Sequence, residues 1–199
     1  AGVQPYGLHA IGVGEADEMA DTLIREELKK QVDYFENRSY ADNGTYEFKV
    51  AVAKYMKNVL GVDLNPHTQI NHCIGAKSGL AILPLAFVNP GDTVIMTIPG
   101  YPIFGTNSRY LGADIYQVPL KKENDFKVDL DSIPEDIYKK AKVMVVNYPN
   151  SPTGAIVGVD FYKKLIDIAK KYNIAIVQDA AYSRMVYDSE PLSFLSVDG

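Results

Sequence analysis

Tryptophan is absent from these 199 residues, cysteine occurs once and histidine three times. A lone Cys73 excludes an internal disulfide and fits a reducing compartment, so a cytoplasmic location is expected. Cys73 has no base beside it and reads as a buried small apolar residue, not a nucleophile. His9, His67 and His72 show no metal-ligand spacing with one another or with Cys73, so no metal site is expected. No apolar run reaches the ~18 residues that span a bilayer, and no signal-peptide pattern opens the sequence. A basic excess is missing too. The net charge is −5, which argues against nucleic acid as a partner.

What is present is an ordinary globular composition, 47% hydrophobic and 23% charged, in a chain long enough to bury one large core. Tyrosine is abundant, at 14 residues, a supply of flat surfaces for stacking. Residues 1–16 hold four glycines and read as an extended arm. Apolar Met19, Leu23, Ile24 and Leu28 with charges between predict a helix over about 17–37. Glu26-Glu27 with Lys29-Lys30, and Lys163-Lys164 with Lys170-Lys171, read as solvated helix faces. Asn43-Gly44 is a strong turn dipeptide, and a second amphipathic helix is predicted over 46–60, stopped by Gly61.

From there the pattern alternates. Strands are predicted at 69–74, 93–98, 114–118, 143–147 and 175–178. Helices are predicted at 78–87, 103–111 and 160–172, with a helix-like element starting in 129–138. Near-continuous apolar strands between helices predict an α/β fold, a mostly parallel sheet with helices on both faces. No closing helix is expected after Leu195, which suits a piece of a longer protein.

In such sheets ligands bind beyond the carboxyl ends of the strands. Four segments are expected there. Gly75-Ala76-Lys77-Ser78 turns into a helix, where backbone N–H groups can hold a phosphate, and Ser78 adds a hydroxyl. Tyr101, braced in Pro99-Gly100-Tyr101-Pro102, suits stacking on a flat ring. Asn147 to Gly154 is a rigid polar loop. Asp179 ends a buried apolar strand, where a carboxylate is costly unless it meets a cation or several donors. Tyr182 follows three residues later. Taken alone, each has a plainer reading: a glycine-bearing turn, a loop tyrosine, a proline turn, a helix cap. Their joint order at strand ends favours a site.

These motifs, with Gly12-Val13-Gly14-Glu15 and Tyr40-Ala41-Asp42-Asn43-Gly44, resemble aminotransferases of class I and II, the fold type I enzymes that use pyridoxal 5'-phosphate. The resemblance covers essentially the whole chain, and within the family the diaminopimelate and aspartate branches are most similar. It implies that backbone at Ala76 and Lys77 cradles the cofactor phosphate and that Tyr101 stacks on the ring. It further implies that Asp179 pairs with the ring nitrogen and that Tyr182 bonds the ring hydroxyl. It also implies that Asn150 and Ser151 contact the cofactor, that Gly14 approaches the substrate carboxylate, and that Tyr40 reaches the phosphate of a partner subunit in a homodimer. On that resemblance residues 1–45 are expected to form an arm and helix of a small domain, and 46–199 an incomplete large cofactor-binding domain.

The sequence departs from the family pattern in three places. Ser151 stands where the family has the asparagine before Pro-Thr-Gly; Tyr40 to Gly44 is one residue short; and no lysine follows Asp179, the last being Lys171. The lysine that bonds to the cofactor is therefore expected beyond Gly199, with no catalytic residue in this chain. The parent's expected activity is amino transfer between an amino acid, LL-diaminopimelate being one candidate donor, and a 2-oxo acid. Other amino donors, a carbon–sulfur β-lyase built on the same cradle and a non-catalytic fragment of the fold are the alternatives.

Overall fold

The computed structural model describes residues 18–198, so the expected arm at 1–16, with Gly14, lies outside the described residues. The chain divides into two compact units, Ala1–Asp42 and Asn43–Gly199.

In the first unit, α1 (Thr22–Val32) is shorter than the periodicity suggests. It starts where Asp21 accepts a bond from the Leu23 N–H at 2.8 Å, a side-chain cap that satisfies one orphan donor. A single 3₁₀ turn, Phe35–Arg38, follows it. Lys29 and Lys30 pair with Glu26 and Glu27 on its exposed face.

The second unit opens with α2 (Tyr46–Leu60), capped by the Thr45 hydroxyl and closed by Gly61 at φ 69°. The predicted 78–87 helix is two pieces, α3 (Gly75–Ile82) and α4 (Pro84–Phe87), because Pro84 lacks the N–H to continue the ladder. Then come β1 (Thr93–Ile98), α5 (Ile103–Tyr110), β2 (Asp114–Pro119), α6 (Glu135–Lys140), β3 (Ala141–Asn147), α7 (Val159–Tyr172) and β4 (Ala175–Asp179).

All pairings are parallel, in the order β2-β1-β3-β4. Strand residues alternate between two cores. Val94, Met96, Val143 and Val145 pack with Leu80 of α3 and Phe104 of α5. Ile95, Met144 and Val146 pack on the other face with Tyr138 of α6 and Tyr162, Leu165 and Ile166 of α7. Each of these buried aliphatic side chains contributes roughly 1.5–3 kcal/mol, which anchors the strand ends that carry the loops. The chain leaves β1 for β2 on one side and returns past β1 to β3 on the other. The loops after β1 and β3 therefore diverge at a switch point.

Three expectations fail. Residues 69–74 form no strand among the described residues. A strand needs a ladder partner, and the His72 N–H instead donates to the Asn43 carbonyl at 3.0 Å. Cys73 lies in that segment and is exposed, not buried. The chain does carry a short terminal helix, α8 (Leu195–Asp198), led in by a Ser193 hydroxyl that accepts from the Leu195 N–H.

Candidate functional site

One cavity of about 240 Å³ is lined by Ala76, Lys77, Tyr101, Ser151, Asp179 and Tyr182, together with Leu80 and Ala181. Six residues expected to meet a cofactor, from four separate segments, thus face one space. A groove of about 680 Å³ elsewhere in this unit is larger. It is lined mainly by apolar side chains such as Met56, Leu60, Ile166 and Phe194. Size and chemistry disagree here, and chemistry decides: only the smaller cavity gathers a carboxylate, phenols and free helix-end donors.

Each wall has a local cause. Gly75, at φ +75°, opens α3 from a left-handed conformation that other residues avoid. Its N-cap, Ile74, has no side chain able to accept a bond, so the first-turn N–H groups are left for another acceptor. The Ser78 hydroxyl does not serve that purpose. It bonds back to the carbonyls of Ile74 and Gly75, both at 2.9 Å. Leu80, three residues beyond Lys77 on α3, adds an apolar wall that only the helical period could have indicated.

Tyr101 follows β1, and Tyr182 follows β4 by three residues. They are 38% and 42% exposed, so both rings are open to a ligand. Asp179 is the last residue of β4 and only 8% exposed. Its Oδ1 accepts from the Ala181 N–H at 3.2 Å, and it forms no ion pair among the described residues.

The β3 loop settles which of two neighbours faces the cavity. Ser151 lines it. Asn150 is 3% exposed, with its Oδ1 accepting from the Thr153 N–H and hydroxyl and its buried Nδ2 without a partner among the described residues. Tyr40 is fully exposed in the first unit.

Asn147 was expected only as the first residue of a polar loop, with no role of its own, yet it braces two walls of the cavity. Its Oδ1 accepts from the Ser151 N–H at 2.7 Å and its Nδ2 donates to the Asp179 carbonyl at 3.0 Å. The available signal was an amide ending a very apolar strand, where a polar side chain survives burial only with partners. Among the described residues no group of three or more His, Cys, Asp or Glu is placed to hold a metal.

The sequence profile of aminotransferase class I and II matches residues 11–198. The chain belongs to this family. It is similar to LL-diaminopimelate aminotransferase from Methanocaldococcus jannaschii, 51% identical over 94% of the chain and 45% of that protein. The same enzyme from Aquifex aeolicus is 48% identical, over 95% of the chain and 49% of that protein. Among solved structures, substrate-bound BacF from Bacillus subtilis superposes with a TM-score of 0.88 at 35% identity, over 92% of this chain and 47% of that one. A probable N-succinyldiaminopimelate aminotransferase from Thermus thermophilus gives a TM-score of 0.86 at 27% identity, over 92% and 50%. The chain spans about half the length of the curated relatives it matches.

Proposed function

We propose that this chain is the cofactor-holding part of an aminotransferase dependent on pyridoxal 5'-phosphate. The whole protein would move an amino group between LL-diaminopimelate and a 2-oxo acid. The observation that carries the cofactor reading is Asp179: a largely buried carboxylate that forms no ion pair among the described residues, facing a cavity of about 240 Å³. An unpaired buried carboxylate is costly, and a protonated aromatic nitrogen is a partner that removes the cost. The donor choice rests on similarity to the diaminopimelate enzymes.

The residues present fit the group. The uncapped first turn of α3, at Ala76 and Lys77, offers N–H donors to a phosphate. The Tyr101 ring offers a face, Leu80 an apolar wall, and the Tyr182 and Ser151 hydroxyls offer hydrogen bonds to a ring oxygen. When bound, the cofactor supplies an electron sink for charge at the substrate's α-carbon, and a negative Asp179 keeps its ring nitrogen protonated. Asn150 acts behind the cavity wall by bracing Thr153, which leaves Ser151 as the contact from that loop.

In the same reading the protein is a cytoplasmic homodimer. Tyr40 contacts the phosphate held by the partner subunit, and Gly14 approaches the substrate carboxylate. Residues 1–45 are the arm and helix, and 46–199 the larger domain's first part.

The test is a titration of pyridoxal phosphate into the full-length protein, wild type and Asp179→Ala, followed by an amino-transfer assay with LL-diaminopimelate. Binding that Asp179→Ala weakens at least tenfold, with unchanged melting, supports the cofactor reading. Equal binding by both proteins refutes it, and activity with other donors but not diaminopimelate refutes the substrate.

A further inference from the structure

The only buried side chain of α2 is a lysine. Lys49 is 8% exposed, and its Nζ donates to the Asn43 Oδ1 at 3.0 Å. No carboxylate pairs with it among the described residues. Burying an ammonium against a neutral amide costs free energy, so the arrangement needs a structural return. Asn43 shows where that return lies. Its Nδ2 donates to the Asn71 Oδ1 at 3.0 Å, and its carbonyl accepts from the His72 N–H at 3.0 Å. Among the described residues these are the only hydrogen bonds that tie residues 70–73 to the rest of the unit. That segment runs directly into Gly75, Ala76 and Lys77 at the start of α3.

An amide side chain can face either way, and the lysine removes the choice. Reversing the Asn43 amide would set its NH₂ against the ammonium, two donors face to face, and its oxygen against the Asn71 oxygen. Gly44 completes the clamp. At φ +97° it holds the turn, and a Cβ there would lie 2.7 Å from the His72 Cβ.

We propose that Lys49, acting through Asn43, is a positioning residue that sets the register of the phosphate-cradling turn at Gly75-Ala76-Lys77. This rests on the cofactor reading above and assigns the lysine no contact with the cofactor. Its consequence is selective: disturbing the clamp weakens grip on the phosphate more than grip on the ring.

The experiment compares binding of pyridoxal phosphate with binding of pyridoxal, which lacks the phosphate, in the full-length protein. Lys49→Met and Asn71→Ala are expected to weaken pyridoxal phosphate about tenfold while leaving pyridoxal unchanged. Asn71→Asp keeps an acceptor for Asn43 and is expected to retain the wild-type ratio. The Asn71 side chain is exposed, so its variants keep the comparison open if Lys49→Met does not fold. Equal weakening of both ligands, or no weakening, overturns the inference. A wild type with no preference for the phosphorylated ligand overturns the cofactor reading with it; a preference that every variant retains overturns this inference alone.

Discussion

The Asn147 side chain donates to the Asp179 carbonyl at 3.0 Å, joining the last paired residues of β3 and β4. The same amide accepts from the Ser151 N–H, so one buried side chain sets the spacing of two walls of the cavity. Asn147→Leu removes both bonds, taking a partner from the carbonyl of buried Asp179 and from the N–H of half-buried Ser151. A loss of about 1–3 kcal/mol is expected in urea unfolding, with weakened cofactor binding beside it.

Asp179→Asn is expected to move stability the other way. The amide keeps an oxygen for the Ala181 N–H while removing a largely buried carboxylate that forms no ion pair among the described residues. The cofactor-free protein should gain about 1 kcal/mol in urea unfolding even as its affinity for the cofactor falls. A loss of stability would show that Asp179 serves the fold first.

Gly105→Ala probes the packing of α5 on β1. A Cβ at that position collides with the Met96 Sδ inside the core that α5 shares with β1. Overpacking of this kind costs about 1–3 kcal/mol, and thermal melting should show it with the cavity residues untouched.

High pH acts on the opposite face of the sheet. Burial pushes the Tyr148 hydroxyl up to about 12. It also raises Tyr138 and Tyr162, where nearby charges and a neighbouring tyrosine add to the effect. A folded-state value above the unfolded ~10 means the native state holds these protons more tightly. Their contribution is complete below pH ~10 and is lost as pH rises toward 12 and above. Ultraviolet tyrosinate absorbance should therefore lag behind that of exposed tyrosines, with unfolding as the last protons leave.

The alternation of apolar strands with amphipathic helices was enough to establish a parallel α/β sheet, because period and turn chemistry are local properties of the chain. The same holds for the order of the motifs: a residue that follows a strand sits at its carboxyl end in any parallel sheet. For this reason Tyr101, Ser151, Asp179 and Tyr182 could be placed at strand ends before any contact was known, whereas Ala76 and Lys77 reach the same cavity from a helix start that no strand precedes among the described residues. Only the tertiary structure decided that Ser151 faces the cavity while Asn150 turns to Thr153, since adjacent residues in a loop have no fixed period. It likewise decided that residues 69–74 stay unpaired, that Cys73 is exposed and that Lys49 is buried. Pairing and burial depend on what the rest of the fold brings alongside a segment, and that information is not local to it.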